Sequence, residues 1–236
     1  LFFFLFFFVV VFVVLCFFKT FFFGMASTPS LKFNEEELRR LCEEDWYQSV
    51  CGPSSPVVRL NHGSFGCAPK SVKQERDNFR NEWEKQPDAF YYHRLPLLTS
   101  QTREVIANSL NVENKDCIAL MDNVTQAMSV ISNHLTWEFW EGKRQKGDAV
   151  IVFEWTYGAV TKCFQGTIGR LGGKIVQVPL SLPIQKEDVI EALKKTIEEV
   201  EKTGKIAMVV LDHINSPTGM VFPLTEMISL CRGSLL

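Results

Sequence analysis

Two short, continuous apolar segments constrain the fold of this chain most strongly. Residues 148–153 read Asp-Ala-Val-Ile-Val-Phe, and residues 206–211 read Ile-Ala-Met-Val-Val-Leu. Runs of this length without polar alternation are typical of strands covered on both faces, as in parallel sheets. Between them, residues 186–202 carry apolar side chains at three-to-four spacing, which predicts an amphipathic helix that stops at Gly204. The pattern predicts an α/β domain with a mainly parallel sheet and flanking helices.

A helix start rich in cap residues follows an earlier apolar run. Residues 116–120 read Asp-Cys-Ile-Ala-Leu, which predicts a further strand, and Asn123 and Thr125 then open a helix. We expect the amides of Thr125, Gln126 and Ala127 to point out of that helix start without partners. Unpaired amides and the positive end of the helix dipole together favour a phosphate site. The alternative is that Asn123 and Thr125 cap the helix and bind nothing.

Polar or aromatic turns also follow the two apolar strands. Trp155 and Tyr157 come directly after the first strand, and the polar segment 212–219 comes directly after the second. Because the carboxyl ends of parallel strands meet at one edge of a sheet, we expect these turns to converge with the helix start at 123–125. A phosphate site beside an aromatic ring suits a flat, phosphorylated heterocycle.

Another candidate ligand-binding turn lies near residue 61. Residues 57–60 predict a short strand, and a helix is predicted from residue 69 to about residue 86. The turn between them, at residues 61–66, contains an Asn, a His and a Ser with two glycines, which indicates backbone that approaches a ligand closely. The alternative is a tight turn in which the glycines only allow positive φ.

Composition excludes some classes of function. The chain has 25 basic and 27 acidic residues and a formal net charge of -2, without a basic block, so a nucleic-acid partner is not expected. Its seven cysteines include no CxxC pair. That usage predicts reduced, mostly buried thiols, no metal site, and a cytoplasmic location as the default.

The amino-terminal segment is unlike the rest of the chain. Residues 1–18 contain only Leu, Phe, Val and one Cys, a length that can span a bilayer. Because Phe, Leu and Val codons share U in the middle position, we expect residues 1–24 to be a translated leader and the protein to begin at Met25. The alternative is a signal anchor that places the protein at a membrane, with Lys19 as its flanking charge. Residues 25–56 are predicted to form a helix and a loop.

Four segments, taken in order, resemble the class V aminotransferase family. The resemblance is greatest to its isopenicillin N epimerase-like and cysteine desulfhydrase-like branch. The segments are residues 60–66, 123–127, 157–159 and 212–219, and the resemblance extends over about residues 57–231. It implies the aspartate aminotransferase fold, pyridoxal 5′-phosphate as the cofactor, a small amino-acid substrate, and a homodimer for the full-length enzyme.

The resemblance also implies roles for particular residues. Asn123, Val124 and Thr125 are expected to bind the cofactor phosphate at the helix start, and Trp155 is expected to stack on the pyridine ring. Asn215 is expected near the phenolic oxygen of the cofactor. The residues expected to form a wall near the substrate carboxylate are Asn61, His62, Gly63 and Ser64.

Two catalytic groups of the family are not found in this sequence. The family brings an Asp, in a motif like Val-Asp-Gly-Ala-His, to the pyridine nitrogen, and a later Lys forms the Schiff base. Lys162, Lys174 and Lys205 are expected to lie away from the site. We therefore expect residues 57–236 to form an incomplete cofactor-binding large domain. It would lack the C-terminal part and the small domain, and would be inactive by itself.

The reaction of the parent enzyme stays open among cysteine desulfuration, other carbon–sulfur lyase chemistry, epimerisation and transamination, and we favour a carbon–sulfur lyase. Two alternatives come from other classes of protein. One is a non-catalytic, membrane-anchored protein that binds a ligand, which requires residues 1–23 to be expressed. The other is a cofactor-free dimerisation module.

Overall fold

The computed structural model describes Glu36, Ala68 and residues 70–234. The expectations for the leader, for residues 25–56 apart from Glu36, for the strand at 57–60, and for Asn61, His62, Gly63 and Ser64 lie outside the described residues. The chain divides into two compact units, Leu1–Leu120 and Met121–Leu236. Among the described residues, no helix combines the length and the hydropathy needed to cross a membrane.

The described part of the first unit is helical. The helix predicted from residue 69 is confirmed, and it spans Lys70–Lys85 (α1). A short helix, Pro87–Ala89 (α2), follows and continues through a π-helical turn, Phe90–Arg94, into Leu95–Ser109 (α3). Proline lies in the first turns of both α2 and α3, a position at which proline is common.

The strand predicted at residues 116–120 is wrong. The side chain of Asn114 accepts a hydrogen bond from the Asp116 amide at 2.9 Å, and the Cys117 amide donates to the Asn114 carbonyl at 3.0 Å. The Ile118 amide donates to the carbonyl of Lys115 at 3.0 Å. Because this local 3₁₀ turn, Lys115–Cys117, uses the amides that a sheet ladder needs, the apolar run does not pair as a strand.

The described part of the second unit is an α/β structure, as predicted. Its three strands are all parallel and lie in the order β2–β1–β3. In chain order, its elements are helix Val124–Trp140 (α4), strand Ala149–Phe153 (β1), helix Gly158–Gly166 (α5), strand Lys174–Val178 (β2), helix Lys186–Glu201 (α6), strand Ile206–Val209 (β3) and helix Leu224–Ser234 (α7).

The central strand β1 is buried along its whole length, and each of its five residues has no exposed surface. Because successive side chains of a strand point to opposite faces, complete burial means that both faces of β1 are covered. Ile151 pairs in register with Val176 on one side and with Val209 on the other. Leu193 and Ile197 of α6 pack in the same core, as the predicted amphipathic helix requires.

Asp148 joins the starts of all three strands. Its carboxylate accepts hydrogen bonds from the Gln145 amide at 3.0 Å and from the Lys205 amide at 3.2 Å, just before β3. Its carbonyl accepts from the Lys174 amide of β2 at 2.9 Å. Asp148 is only 5% exposed, so these bonds replace contacts with water. This residue therefore fixes the amino-terminal edge of the sheet.

The three described cysteines only partly match the prediction of buried thiols. Cys231 is buried in the core of the second unit, and burial raises the pKa of its thiol to about 11. Cys163 is half-buried, with its Sγ 3.3 Å from Ser132 Oγ. Cys117 is exposed.

We expect Asp148→Ala to lower the free energy of unfolding by about 2 kcal/mol, since it leaves the amides of Gln145 and Lys205 without their acceptor. Urea unfolding followed by circular dichroism measures the change. Asp77→Ala is the matched control, because Asp77 is exposed and its ion pair with Arg76 is worth under about 1 kcal/mol. Equal losses in the two variants would contradict the role assigned to Asp148.

We expect brief alkylation at pH 8 to modify Cys117 and to spare Cys231. A thiol with a pKa of about 11 holds almost no thiolate at pH 8, and the thiolate is the reactive form. Peptide mass spectrometry after iodoacetamide treatment gives the extent of modification at each cysteine. The same treatment in urea is the control, and there both residues should react.

Candidate functional site

The start of α4 is capped by Asn123. This residue has extended backbone angles (φ −165°, ψ 170°), and its Oδ1 accepts a hydrogen bond from the Gln126 amide at 2.8 Å. The Asn123 carbonyl accepts from the Ala127 amide at 3.1 Å, the first bond of the helix. The expectation that Gln126 and Ala127 have unpaired amides is therefore wrong. Within the described part of the chain, only the amides of Val124 and Thr125 lack an acceptor at this helix start.

The side chain of Gln126 completes this cap. Its Oε1 accepts from the Asp122 amide at 2.9 Å, so backbone and side chain of Gln126 bond reciprocally to the two residues before the helix. This arrangement fixes the path of the chain into α4. Thr125 is exposed and Val124 is half-buried, so the two remaining amides lie at an accessible helix start. Those amides and the helix dipole can receive an anion.

The length of α4 decides whether its start can reach the carboxyl edge of the sheet, the edge at which Phe153, Val178 and Val209 end their strands. The other end of α4 lies at the amino-terminal edge, where a Cβ on Gly173 would come 3.0 Å from the Phe139 ring. A 17-residue helix is about 25 Å long, whereas a five-residue strand is about 17 Å long. Since its last turn lies at the amino-terminal edge, α4 is long enough for its start to reach the carboxyl edge.

A tight turn follows β1 at the same edge. The hydroxyl of Thr156 accepts from the Phe153 amide at 3.0 Å, and the Thr156 amide donates back to the Phe153 carbonyl at 2.9 Å. Thr156 is buried by this turn, and Tyr157 on its far side is 56% exposed. Trp155 lies between them, half-buried against the core. The turn thus presents one aromatic ring at the surface and holds the other partly inside.

The turn that follows β3 is organised around Asn215, which has no exposed surface. Its Nδ2 donates to the carbonyl of Trp155 at 2.8 Å and to Asp212 Oδ2 at 3.1 Å. Its Oδ1 accepts from the hydroxyl of Thr218 at 2.8 Å. The predicted convergence of the turns after β1 and β3 is therefore confirmed by a direct hydrogen bond.

Asp212 is a residue that the sequence reasoning did not single out. It is half-buried at the carboxyl end of β3. Burial raises the pKa of its carboxyl group above the ordinary value of 3.8, and the hydrogen bond from Asn215 opposes that rise. A signal for it was present, because an acidic residue directly after an apolar strand lies at the edge where ligands bind in open α/β sheets.

The three lysines considered above lie away from these turns, as expected. Lys174 begins β2 and Lys205 precedes β3, so both lie at the amino-terminal edge, where their amides bond to Asp148. Lys162 is exposed on α5. In the part of the chain that the structure describes, no group of three or more His, Cys, Asp or Glu side chains is placed to hold a metal ion.

A hydrogen bond thus brings Trp155 and Asn215 together at the carboxyl edge of the sheet, and α4 is long enough for Asn123, Val124 and Thr125 to reach the same edge. Their assignment as cofactor-binding residues stays a prediction. Asn61, His62, Gly63 and Ser64, assigned to the substrate side, lie outside the described residues.

Comparison with known proteins identifies the family. The family model described as aminotransferase class-V matches residues 69–235, which is well over half of the chain. The chain belongs to the aminotransferase class-V family. This family depends on pyridoxal phosphate, and the fold class and the cofactor that the sequence resemblance implied for the family are confirmed.

Two relatives and one solved structure illustrate the similarity. Putative L-cysteine desulfhydrase 1 of Oryza sativa subsp. japonica is 35% identical over 178 residues, which are 75% of this chain and 37% of that protein. Isopenicillin N epimerase of Streptomyces clavuligerus is 24% identical over 177 residues, which are 75% of this chain and 42% of that protein.

The solved structure is a variant of C-DES with glycine covalently linked to its pyridoxal phosphate cofactor. It matches with a TM-score of 0.57 at 20% identity over 71% of this chain and 41% of that chain, a similarity of fold. This chain therefore spans under half the length of each of these three proteins.

We expect the contribution of Asp212 to the free energy of unfolding to fall as the pH rises from about 3.8 through the raised pKa of its carboxyl group. In that window the folded state holds the proton that the unfolded state has lost, so raising the pH favours unfolding. Asp212→Asn should remove this contribution, since an amide can still accept from Asn215. The measurement is urea unfolding of both proteins from pH 3.5 to pH 7. Identical pH profiles would contradict the burial of this carboxyl group.

Proposed function

We propose that this chain forms the part of a pyridoxal-phosphate-dependent enzyme that holds the phosphate and one face of the ring of the cofactor. The observation that carries the proposal is the start of α4, where the amides of Val124 and Thr125 have no acceptor among the described residues. Family membership favours the phosphate of pyridoxal phosphate as the anion that these amides receive.

The residues present fit the phosphate end of the cofactor. The two free amides and the exposed hydroxyl of Thr125 can each donate a hydrogen bond to a phosphate oxygen. The dipole of the 17-residue helix adds favourable charge at the same place. Asn123 supports the arrangement indirectly, because its side chain is used to cap the helix through Gln126. We therefore assign phosphate contacts to Val124 and Thr125, and we assign Asn123 to the shape of the helix start.

Trp155 supplies an apolar surface for the ring. Its backbone is held by Asn215, and its side chain lies half-buried at the carboxyl edge. A flat aromatic side chain in that place can stack on a pyridine ring and keep water from one of its faces. When bound, pyridoxal phosphate supplies an electron sink that stabilises negative charge at the α-carbon of an amino acid.

We propose that the parent enzyme is a carbon–sulfur lyase that acts on a small amino acid such as cysteine. The name of the rice relative supports cysteine as the substrate. Epimerisation is the competing reaction, because isopenicillin N epimerase matches over a similar share of this chain. From the resemblance alone, we also propose a cytoplasmic homodimer for the full-length enzyme.

We expect the 236-residue chain by itself to bind the cofactor weakly and to release no sulfide from cysteine. A Schiff-base Lys and an Asp at the ring nitrogen are groups that the family uses and that the motifs of this sequence do not include. Binding, rather than turnover, is therefore the property that tests the proposed site.

We expect Thr125→Val to weaken binding of pyridoxamine 5′-phosphate by about tenfold, since it removes one hydrogen bond to a charged phosphate and keeps the size of the side chain. Titration followed by tryptophan fluorescence measures the dissociation constant. Thr136→Val is the matched control, because the Thr136 hydroxyl lies on the same helix and donates to the Ser132 carbonyl at 2.8 Å.

Pyridoxamine without the phosphate separates the phosphate contact from other effects. It should bind the unchanged chain and the Thr125→Val variant equally weakly. An equal loss of phosphate-ligand affinity in the Thr125 and Thr136 variants would exclude the start of α4 as the phosphate site.

A further inference from the structure

We propose that Asn215 is a positioning residue that sets the place of the Trp155 ring and does not itself contact the cofactor. It would do so by fastening the turn after β1 to the turn after β3. This inference rests on the proposed function, in which the Trp155 ring is the surface that receives the pyridine. It revises the direct contact with the phenolic oxygen that the resemblance implied for Asn215.

The hydrogen bonds of the Asn215 side chain carry the inference. A primary amide has two N–H donors, and in Asn215 one points to the Trp155 carbonyl at 2.8 Å and the other to Asp212 Oδ2 at 3.1 Å. The amide oxygen accepts from Thr218 at 2.8 Å. The side chain has no exposed surface, and both of its donors are used inside the protein. It therefore has no donor left for a ligand.

The backbone around Asn215 is equally well held. Its amide donates to the Met220 carbonyl at 2.9 Å, and its carbonyl accepts from the Gly219 amide at 2.8 Å. Gly219 has φ +68°, a left-handed conformation that closes this turn and that other residues adopt with strain. Ile214 and Val221 then form an antiparallel bridge across its base. The turn after β3 can thus act as a fixed support.

The turn that carries Trp155 depends on that support. Trp155 lies between β1 and α5, and the bond from Asn215 reaches its main chain. Because the ring is attached through its Cα to this main chain, a shift of the carbonyl also moves the ring. A ring that must stack on a cofactor at about 3.5–4 Å loses much of its contact energy when it is displaced by even 1 Å.

Asn215→Asp tests the two donors with almost no change of size. The carboxylate has no N–H to offer, and it would face the Trp155 carbonyl and the Asp212 carboxylate, both acceptors. Thr218→Val is a milder variant. It removes the hydroxyl that donates to the Asn215 oxygen at 2.8 Å and that accepts from the Met220 amide at a longer 3.3 Å. Because Thr218 is exposed and the substitution keeps the size of the side chain, the fold should stay intact. Asn133→Asp is the matched control, because Asn133 is exposed on α4.

The first measurement needs no ligand. The chain has five tryptophans, so a ¹⁵N–¹H correlation spectrum shows their indole N–H signals, and Trp155→Phe identifies the signal of Trp155. We expect Asn215→Asp to shift that signal most, Thr218→Val to shift it less, and Asn133→Asp to leave it in place. If Asn215→Asp does not fold, the Thr218→Val spectrum decides the same point.

The second measurement is a double-mutant cycle with pyridoxamine 5′-phosphate as the probe. We expect Asn215→Asp to weaken binding by about tenfold in the unchanged chain and to have little further effect in a Trp155→Ala background, because a residue that acts through another loses its effect when that residue is removed. If Asn215→Asp does not fold, Thr218→Val takes its place in the cycle, with a smaller expected loss.

The outcomes separate the inference from the proposed function. An unmoved Trp155 signal in both variants, or an equal loss of binding with and without the Trp155 ring, overturns the positioning role and favours a direct contact. Failure of the unchanged chain to bind the probe overturns the proposed cofactor site instead. A shifted signal together with a loss of binding that requires Trp155 supports the inference.

Discussion

The burial of β1 on both faces is the constraint on which the rest of the second unit depends. A strand without exposed surface needs cover on both faces and a neighbouring strand along each edge. Here parallel strands lie on both sides of β1, and helices pack against the sheet. The crossover helices then return the chain so that the strands all point the same way. As a result, the polar segments that follow the strands are brought to a common edge, although 60 residues separate Trp155 from Asn215 along the chain.

Residues at the amino-terminal edge of the sheet stabilise the fold, whereas the turns at the carboxyl edge belong to the candidate site. At the amino-terminal edge, Asp148 satisfies the amides that begin the neighbouring strands. Gly204 allows close contact there, since a Cβ at that position would lie 2.7 Å from the Gly147 carbonyl. At the start of α4, Asn123 caps the helix, and the amides of Val124 and Thr125 have no acceptor in the part of the chain that the structure describes. The first amides of a helix have no intrahelical acceptor, and where they are accessible they can bind an anion.

The polar groups of the candidate site differ in how many of their donors and acceptors have a hydrogen-bond partner within the protein. Asn215 has a protein partner for each polar atom of its side chain, whereas the amides of Val124 and Thr125 have no acceptor among the described residues. This difference separates residues that shape a site from residues that can contact a ligand. Asp212 belongs to the same network, and burial raises the pKa of its carboxyl group although the hydrogen bond from Asn215 opposes that rise.

The sequence by itself determined the parallel sheet, the amphipathic helix α6, the helix start at Asn123 and the family, because apolar runs, three-to-four spacing and cap residues act over a few neighbouring positions. It did not determine the conformation of residues 116–120, where the Asn114 side chain accepts a hydrogen bond from the Asp116 amide and a local 3₁₀ turn forms instead of a strand. Only the tertiary structure decided which amides stay free and that Asn215 bonds to Trp155. Those facts depend on hydrogen bonds between segments that the sheet brings together, and no local pattern of residues records such contacts.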